Sequence, residues 1–279
     1  MTSRPRKTIR LTGSNDFIMT TTICFTNNKG GSGKSTSCAA VGTALALMGR
    51  RVLLVDGDMQ MNLSLSFFDE DTVLQYAVND HNIYHAVKNE KDLKPYILKT
   101  GMEGLDIIVS STLMSSVEME LFTKWQRETI LKNLLKNTVS GGEYDYILID
   151  APPTLGTWAV NILTASDRVI IPVEASPWGL FGLANMFDFL HQVQGISPDT
   201  KLLGVLVTKV DERKNYYRQT METLEGLEEI HVFDQVIHVD SAVEWAQDAS
   251  QTVVTYKRSS RSAKEYMALA AEIDALCEE

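Results

Sequence analysis

Residues 21–36 read Thr21-Thr22-Ile23-Cys24-Phe25-Thr26-Asn27-Asn28-Lys29-Gly30-Gly31-Ser32-Gly33-Lys34-Ser35-Thr36. The apolar run Thr21–Phe25 predicts a strand. Lys34–Met48 predicts a helix, with Val41, Leu45 and Met48 on one face and Gly49 at its stop. A glycine-rich turn between a strand and a helix is the context a phosphate-binding loop demands. Glycines let successive backbone N–H groups converge on phosphate oxygens, and the helix N-terminus adds partial positive charge. Lys34 is placed to follow the β- and γ-phosphates, and the Ser35 hydroxyl to meet Mg²⁺. The common pattern G-x-x-x-x-G-K-[ST] asks for glycine at position 28, where this chain has Asn28. It carries instead a second lysine, Lys29, five residues before Lys34.

Outward from the loop, strand-like and helical stretches alternate. Arg51–Asp56, Leu105–Val109, Tyr146–Asp150, Val169–Val173 and Leu202–Thr208 read as strands. Met114 to about Thr138, Ala159–Ala165, Leu180–Val193, Tyr216–Leu227 and Ala263–Leu276 read as helices. Several strands are unbroken apolar runs, as a parallel sheet covered on both faces requires. The expected fold is therefore a single α/β domain over residues 19–279: a doubly wound, mostly parallel sheet with helices on both faces. Residues 1–18, with Arg4, Arg6, Lys7 and Arg10, read as a flexible basic N-terminal extension.

Composition sets the outer bounds. The 279 residues are 44% hydrophobic and 22% charged, which excludes disordered and fibrous classes. No apolar run approaches the roughly 18 residues of a membrane span. Cys24, Cys38 and Cys277 are scattered without a C-x-x-C pair, which argues against a zinc knuckle or redox pair and for reduced thiols in a cytoplasmic protein. With 26 Lys+Arg against 36 Asp+Glu, the net charge of −10 excludes a uniformly basic nucleic-acid coat but not a local basic patch.

Two strands end in aspartate, at the sheet edge where open α/β folds bind ligands. One continues Asp56-Gly57-Asp58-Met59-Gln60-Met61-Asn62, the other Asp150-Ala151-Pro152-Pro153. Carboxylates there can hold Mg²⁺ or orient a hydrolytic water.

The stretch Lys29-Gly30-Gly31-Ser32-Gly33-Lys34-Ser35-Thr36 resembles the deviant phosphate loop of the ParA/MinD family of ATPases, and the likeness runs from about Thr20 to the C-terminus. The family's D-x-D-P-Q-x-N and D-x-P-P patterns match at Asp56, Asp58, Gln60, Asn62, Asp150, Pro152 and Pro153. Met59 stands in place of the family proline and Met61 in place of its glycine. The resemblance implies ATP and Mg²⁺ as cofactors. It implies that Lys29 reaches across a nucleotide-sandwich homodimer, that Asp58 positions the attacking water, and that Ser35, Asp56 and Asp150 serve the metal. Val169–Glu174 resembles the strand that leads to the dimer interface. Thr208–Arg213 resembles the strand end near the adenine, which makes Thr208 and Asp211 nucleotide contacts.

Family members act on DNA, membranes, iron–sulfur clusters or small substrates, so the fold alone does not choose among them. The helix Tyr266–Glu279 has an acidic polar face, unlike the basic terminal helix of the MinD branch. Cys24 and Cys38 lie in the first strand and helix, not at a dimer face. Residues 243–266 resemble the closing segment of ParA proteins, and residues 255–264 carry four positive charges and no negative one. These are Lys257, Arg258, Arg261 and Lys264, the candidate DNA contacts. The expectation is an ATPase associated with the nucleoid, whose ATP-bound dimer binds DNA without sequence preference. A ParB-type adaptor stimulates hydrolysis and so moves plasmid, chromosome or another cargo. A MinD-like membrane-cycling regulator and a small-substrate ATP-dependent synthetase are the alternatives.

Overall fold

The computed structural model describes residues 20–90, 92–139, 142–176, 179–227 and 230–278. The extension read at residues 1–18 lies outside the described residues. Seven strands form one sheet: β1 (Thr21–Phe25), β2 (Val52–Asp56), β3 (Leu98–Lys99), β4 (Leu105–Ile108), β5 (Tyr146–Asp150), β6 (Arg168–Glu174) and β7 (Lys201–Thr208). Their order is β3-β4-β2-β5-β1-β6-β7. All neighbours are parallel except the two-residue edge strand β3, which pairs antiparallel with β4.

Twelve helices are described. In chain order these are α1 (Lys34–Leu47), α2 (Asn62–Leu65), α3 (Glu70–Val78), α4 (Ile83–Asn89), α5 (Val117–Phe122) and α6 (Ile130–Val139). There follow α7 (Thr157–Thr164), α8 (Leu183–Gln194), α9 (Asn215–Glu225), α10 (Ser241–Asp248), α11 (Val253–Tyr256) and α12 (Arg261–Glu278).

Alternate strand residues feed two cores. Cys24, Leu53, Val55, Ile147 and Ile149 pack with α4 to α8. Ile23, Phe25, Val52, Leu54 and Leu148 pack with α1 and α10 to α12. That two-sided burial explains the unbroken apolar runs. Each fully buried aliphatic side chain contributes about 1.5–3 kcal/mol, so the sheet is the rigid base for everything at its C-terminal edge.

Two expectations change. The helix read from Met114 to about Thr138 is a 3₁₀ turn, Thr112–Ser116, then α5, an irregular stretch and α6. Gln126 adopts a left-handed φ of 50° within that stretch, which no continuous helix allows. Helix α1 was expected to show one apolar face. Instead Ser37 to Ala46 are all buried, while Met48 is exposed. Its small residues let it lie flush between the sheet and α12, so closely that a Cβ on Gly42 would come 2.6 Å from Leu54 Cδ2.

Candidate nucleotide site

Between β1 and α1 the chain makes the expected glycine loop. Gly31 (φ 75°) and Gly33 (φ 87°) are left-handed, a conformation glycine adopts without steric cost. The loop is pinned from two sides. Asn27 donates its Nδ2 to Pro172 O (2.7 Å) in β6, and the Thr208 hydroxyl at the end of β7 donates to Ser32 O (2.9 Å). No side chain caps α1 at Gly33, so its first N–H groups remain available to an anion.

Lys34 is buried, and its Nζ donates to Lys29 O at 3.3 Å. Burial lowers its pKa, while the charges of Asp150 and Asp58 pull it back up.

The two strand-end aspartates stand side by side, with Asp56 in register with Asp150 across β2 and β5, and Phe25 of β1 on the other flank. Their surroundings differ. Asp56 accepts three hydrogen bonds, from Ser64 N (2.8 Å), Ser64 Oγ (2.6 Å) and Asp58 N (3.1 Å). Burial nevertheless pushes its pKa up to about 7. Both Asp150 oxygens are buried and meet no hydrogen-bond partner. Burial and the Asp56 charge raise its pKa well above the usual carboxylate range, and the neighbouring Ser35 hydroxyl pulls the other way. Buried carboxylates are normally paired or coordinate a metal, so Asp150 has the lone pairs a cation needs. Among the described residues no three His, Cys, Asp or Glu side chains gather as a metal cage. Mg²⁺ suits such a place, because it keeps waters and takes one or two protein ligands beside phosphate. Of the three residues assigned to the metal, Ser35 and Asp150 fit it, while the oxygens of Asp56 are engaged within the protein.

Asp58 is also buried, with its pKa raised by burial, and its Oδ1 accepts from Gln60 N (3.1 Å). Met61 holds φ 56°, which accounts for the glycine of the family pattern at this position. The Met61 side chain is buried against Val73 and Ala77 of α3. Met59 is exposed.

A cavity of about 550 Å³ runs from the loop along the strand ends. Gly30, Gly31, Gly33–Thr36, Asp58, Gln60 and Asn62 line one end, and Thr208, Lys209, residues 237–240 and α10 line the other. On that second wall Thr208 was an expected nucleotide contact, while residues 237–240 went unread in the sequence. Residues 230–239 run beside β7, through bridges Val205–Val232 and Val210–His238. Gln247 donates to Thr36 Oγ1 (3.2 Å), and the Tyr266 hydroxyl meets Ser37 Oγ (3.2 Å). No motif marks residues 230–240, whose only signal is long-range packing, whereas Gln247 and Tyr266 lie in the segment that resembles the close of ParA proteins.

Three expected contacts lie off the cavity wall: Ser32, whose hydroxyl is buried without a partner, and Asp211 and Lys29. Asp211 binds Arg213 through both carboxylate oxygens (2.8 and 2.9 Å), which hold its pKa down to about 2. Lys29 pairs with Glu174 (2.7 Å) and Ser176 (3.2 Å) at the end of β6. Of the basic segment, Lys257, Arg258 and Lys264 are exposed, and Lys257 Nζ sits 5.7 Å from the centroid of the Trp245 ring. Arg261 is not free: it bonds Glu212 (2.9 Å) and Glu265 (2.8 Å) beside His238, whose ring also faces both carboxylates.

Comparison with known proteins agrees with this geometry. The family model described as "AAA domain" matches residues 20–202. The sporulation initiation inhibitor protein Soj of Bacillus subtilis is 35% identical over 254 residues, covering 91% of this chain and 98% of Soj. The chromosome partitioning protein ParA of Myxococcus xanthus is 31% identical, covering 90% of this chain and 87% of that protein. Among solved structures, cobyrinic acid a,c-diamide synthase from Mycobacterium smegmatis, with bound ATP analog and magnesium, superposes with a TM-score of 0.77. It is 28% identical and covers 91% of this chain and 94% of that one. A glycine loop pinned between strand ends, a buried strand-end aspartate with unpartnered oxygens, and relatives that span most of the chain, one of them a chromosome partitioning protein, converge: this protein belongs to the AAA-domain family of P-loop NTPases and, within it, to the ParA-type partition and positioning ATPases.

Proposed function

We propose that this protein hydrolyses ATP to drive partition or positioning of a cargo, through an ATP-bound dimer that binds DNA without sequence preference. The observation that carries the reading is Asp150: a buried carboxylate with both oxygens unpartnered, beside Lys34 and the open N-terminus of α1. The relatives named as chromosome partitioning proteins support the cargo class, and the diamide synthase bound to an ATP analog and magnesium supports the same cofactors here.

In this reading the N–H groups of residues 30–36 and the Lys34 ammonium take the ATP phosphates. The Ser35 hydroxyl and Asp150 would hold Mg²⁺, which would supply charge neutralisation at the phosphate oxygens. Asp58 orients the hydrolytic water from the wall of the cavity. Lys29 leaves Glu174 to reach the nucleotide of the partner subunit. Dimerisation doubles the exposed charges of Lys257, Arg258 and Lys264 on one particle, and phosphate contacts of this kind carry no base information. A ParB-type adaptor that speeds hydrolysis then returns the protein to a weakly binding monomer, which places it on the nucleoid only while ATP is bound.

The deciding experiment combines a gel shift on unrelated DNA sequences with light scattering, with ATP, with ADP and without nucleotide. DNA binding by an ATP-dependent dimer is the expected result. An ATP-bound dimer that leaves DNA free and sediments with anionic liposomes would move the protein to the membrane-cycling branch. The likeness to the diamide synthase favours one further arm, a screen for ATP use that requires a small carboxylic acid and an amine donor. Turnover there without DNA binding would identify a synthetase.

A further inference from the structure

We propose that Ser64 is a positioning residue for hydrolysis: it closes residues 57–63 into a clasped loop that fixes Asp58. The clasp rests on the assignment of Asp58 to the attacking water. Its anchoring residues, Asp56, Ser64 and Ser110, are fully buried. Ser64, in α2, donates both its backbone N–H and its hydroxyl to Asp56 Oδ2, at 2.8 and 2.6 Å. The Ser64 oxygen then accepts from Ser110 N (3.2 Å), just beyond β4. Three elements therefore meet on one hydroxyl: the end of β2, the head of α2 and the end of β4.

Asp56 hands the constraint on. Its other oxygen, Oδ1, accepts from Asp58 N (3.1 Å), so the backbone of Asp58 hangs from the carboxylate that Ser64 holds. Asp58 in turn accepts from Gln60 N with its side chain and from Met61 N (3.0 Å) with its carbonyl. The base of the loop is nailed from below, with Gly57 N on Asp150 O (2.9 Å) and Trp158 Nε1 on Gly57 O (2.9 Å). Asp58, Gln60 and Asn62 face the cavity. A water-orienting carboxylate works only if it is held to a fraction of an ångström, and a displacement of about 1 Å costs on the order of 100-fold in rate. Without the Ser64 hydroxyl, Asp56 Oδ2 keeps a single neutral donor and Ser110 N loses its acceptor, so the loop loosens where Asp58 sits. The phosphate loop and Lys34 are untouched by the change.

The test compares Ser64→Ala, Ser64→Thr, Asp56→Asn and Asp58→Ala in the full chain. Expected for Ser64→Ala is a kcat lower by about 10- to 100-fold, with KM for ATP and the Mg²⁺ concentration for half-maximal rate within about threefold of the parent. Ser64→Thr, which keeps the hydroxyl, restores most of kcat. Asp56→Asn copies Ser64→Ala, including the unchanged Mg²⁺ requirement. Hydrogen exchange supplies a readout that needs no turnover: amides 57–64 and 110 exchange faster in Ser64→Ala, while those of β1 and β5 stay protected. Parental kcat in a folded Ser64→Ala overturns the proposal, and so do unchanged exchange rates at those amides. A raised Mg²⁺ requirement in Asp56→Asn alone returns Asp56 to the metal and overturns it too. If Ser64→Ala does not fold, Asp56→Asn and the exchange pattern of Ser64→Thr decide. Parental hydrolysis by Asp58→Ala would instead refute the assignment of Asp58, leaving the clasp to be judged by exchange alone.

Discussion

Replacing Asp150 by asparagine should stabilise the nucleotide-free protein while weakening its response to Mg²⁺ and nucleotide. Asp150 is fully buried without a donor on either oxygen, and it shares its surroundings with Asp56 and Asp58 around the single ammonium of Lys34. An unsatisfied buried polar group costs about 1–3 kcal/mol, and a charge costs more. Asparagine keeps the shape and removes the charge, so a gain of about 1–3 kcal/mol is expected at pH 8. With an unfolding entropy of about 2.1 cal/mol/K per residue, a chain of this length gains about 2–5 °C in Tm. The pH dependence has a definite sign. The folded pKa lies above the ordinary value of 3.8, so the fold holds this proton more tightly than the unfolded chain does. The destabilisation is therefore absent below that value and grows as pH rises above it. The advantage of Asp150→Asn should be smaller at pH 5 than at pH 8. Thermal melts at both pH values, with and without ADP and Mg²⁺, measure it. At 100 times its Kd a ligand adds about 2.7 kcal/mol, so the parent should overtake the variant once nucleotide and metal are present. A variant that melts below the parent at pH 8 without nucleotide would show that the carboxylate is partnered in solution, and the argument from its empty lone pairs would fail.

The cross-subunit role of Lys29 predicts complementation: Lys29→Ala and Asp58→Ala, each inactive alone, should regain hydrolysis when mixed, because one composite site per heterodimer stays intact. A mixture no more active than its parts rules that role out. Lys257→Ala with Arg258→Ala should weaken DNA binding and reduce its log–log salt slope by about 2 per protomer, with ATP-dependent dimerisation unchanged by light scattering. Unchanged affinity would move the DNA surface to Arg213, Lys214 and Arg218. Gly57→Ala should cost about 1–3 kcal/mol, seen as a lower Tm, because its Cβ would come 2.8 Å from both Asp150 O and Ile162 Cδ1 and pry β2 from β5.

The phosphate loop was legible because its chemistry is local: two glycines in left-handed turns, a lysine and a serine must follow one another in the chain, and a strand and a helix must flank them. Asp56 and Asp150 were equally visible as strand-end aspartates, but their difference was not. It is set by Ser64, which holds one carboxylate through its hydroxyl and its backbone N–H, while the Ser35 hydroxyl near the other makes no hydrogen bond to it in this structure. Met61 could be seen to depart from glycine, yet only the fold shows that it holds a left-handed φ and is anchored in α3. Residues 237–240 escaped notice because a loop beside β7 carries no periodicity. Arg261 looked like a free cation in sequence, and it is Glu212, forty-nine residues earlier, that neutralises it.

The packing of α12 on α1 has a consequence for a chain that is still being made. Tyr266 of α12 lines the cavity and meets Ser37 in the first turns of α1, 229 residues earlier. Arg50, just past α1, and Tyr146 of β5 both bind Asp274 farther along the same helix. At about 5–20 residues per second, a ribosome takes roughly 10–50 s to travel from the phosphate loop to Tyr266. Throughout that interval the glycine loop is exposed but the far wall of its cavity does not exist. Nascent chains crowded on one messenger therefore lack a complete cavity at the glycine loop, and each molecule acquires one only after α12 has docked.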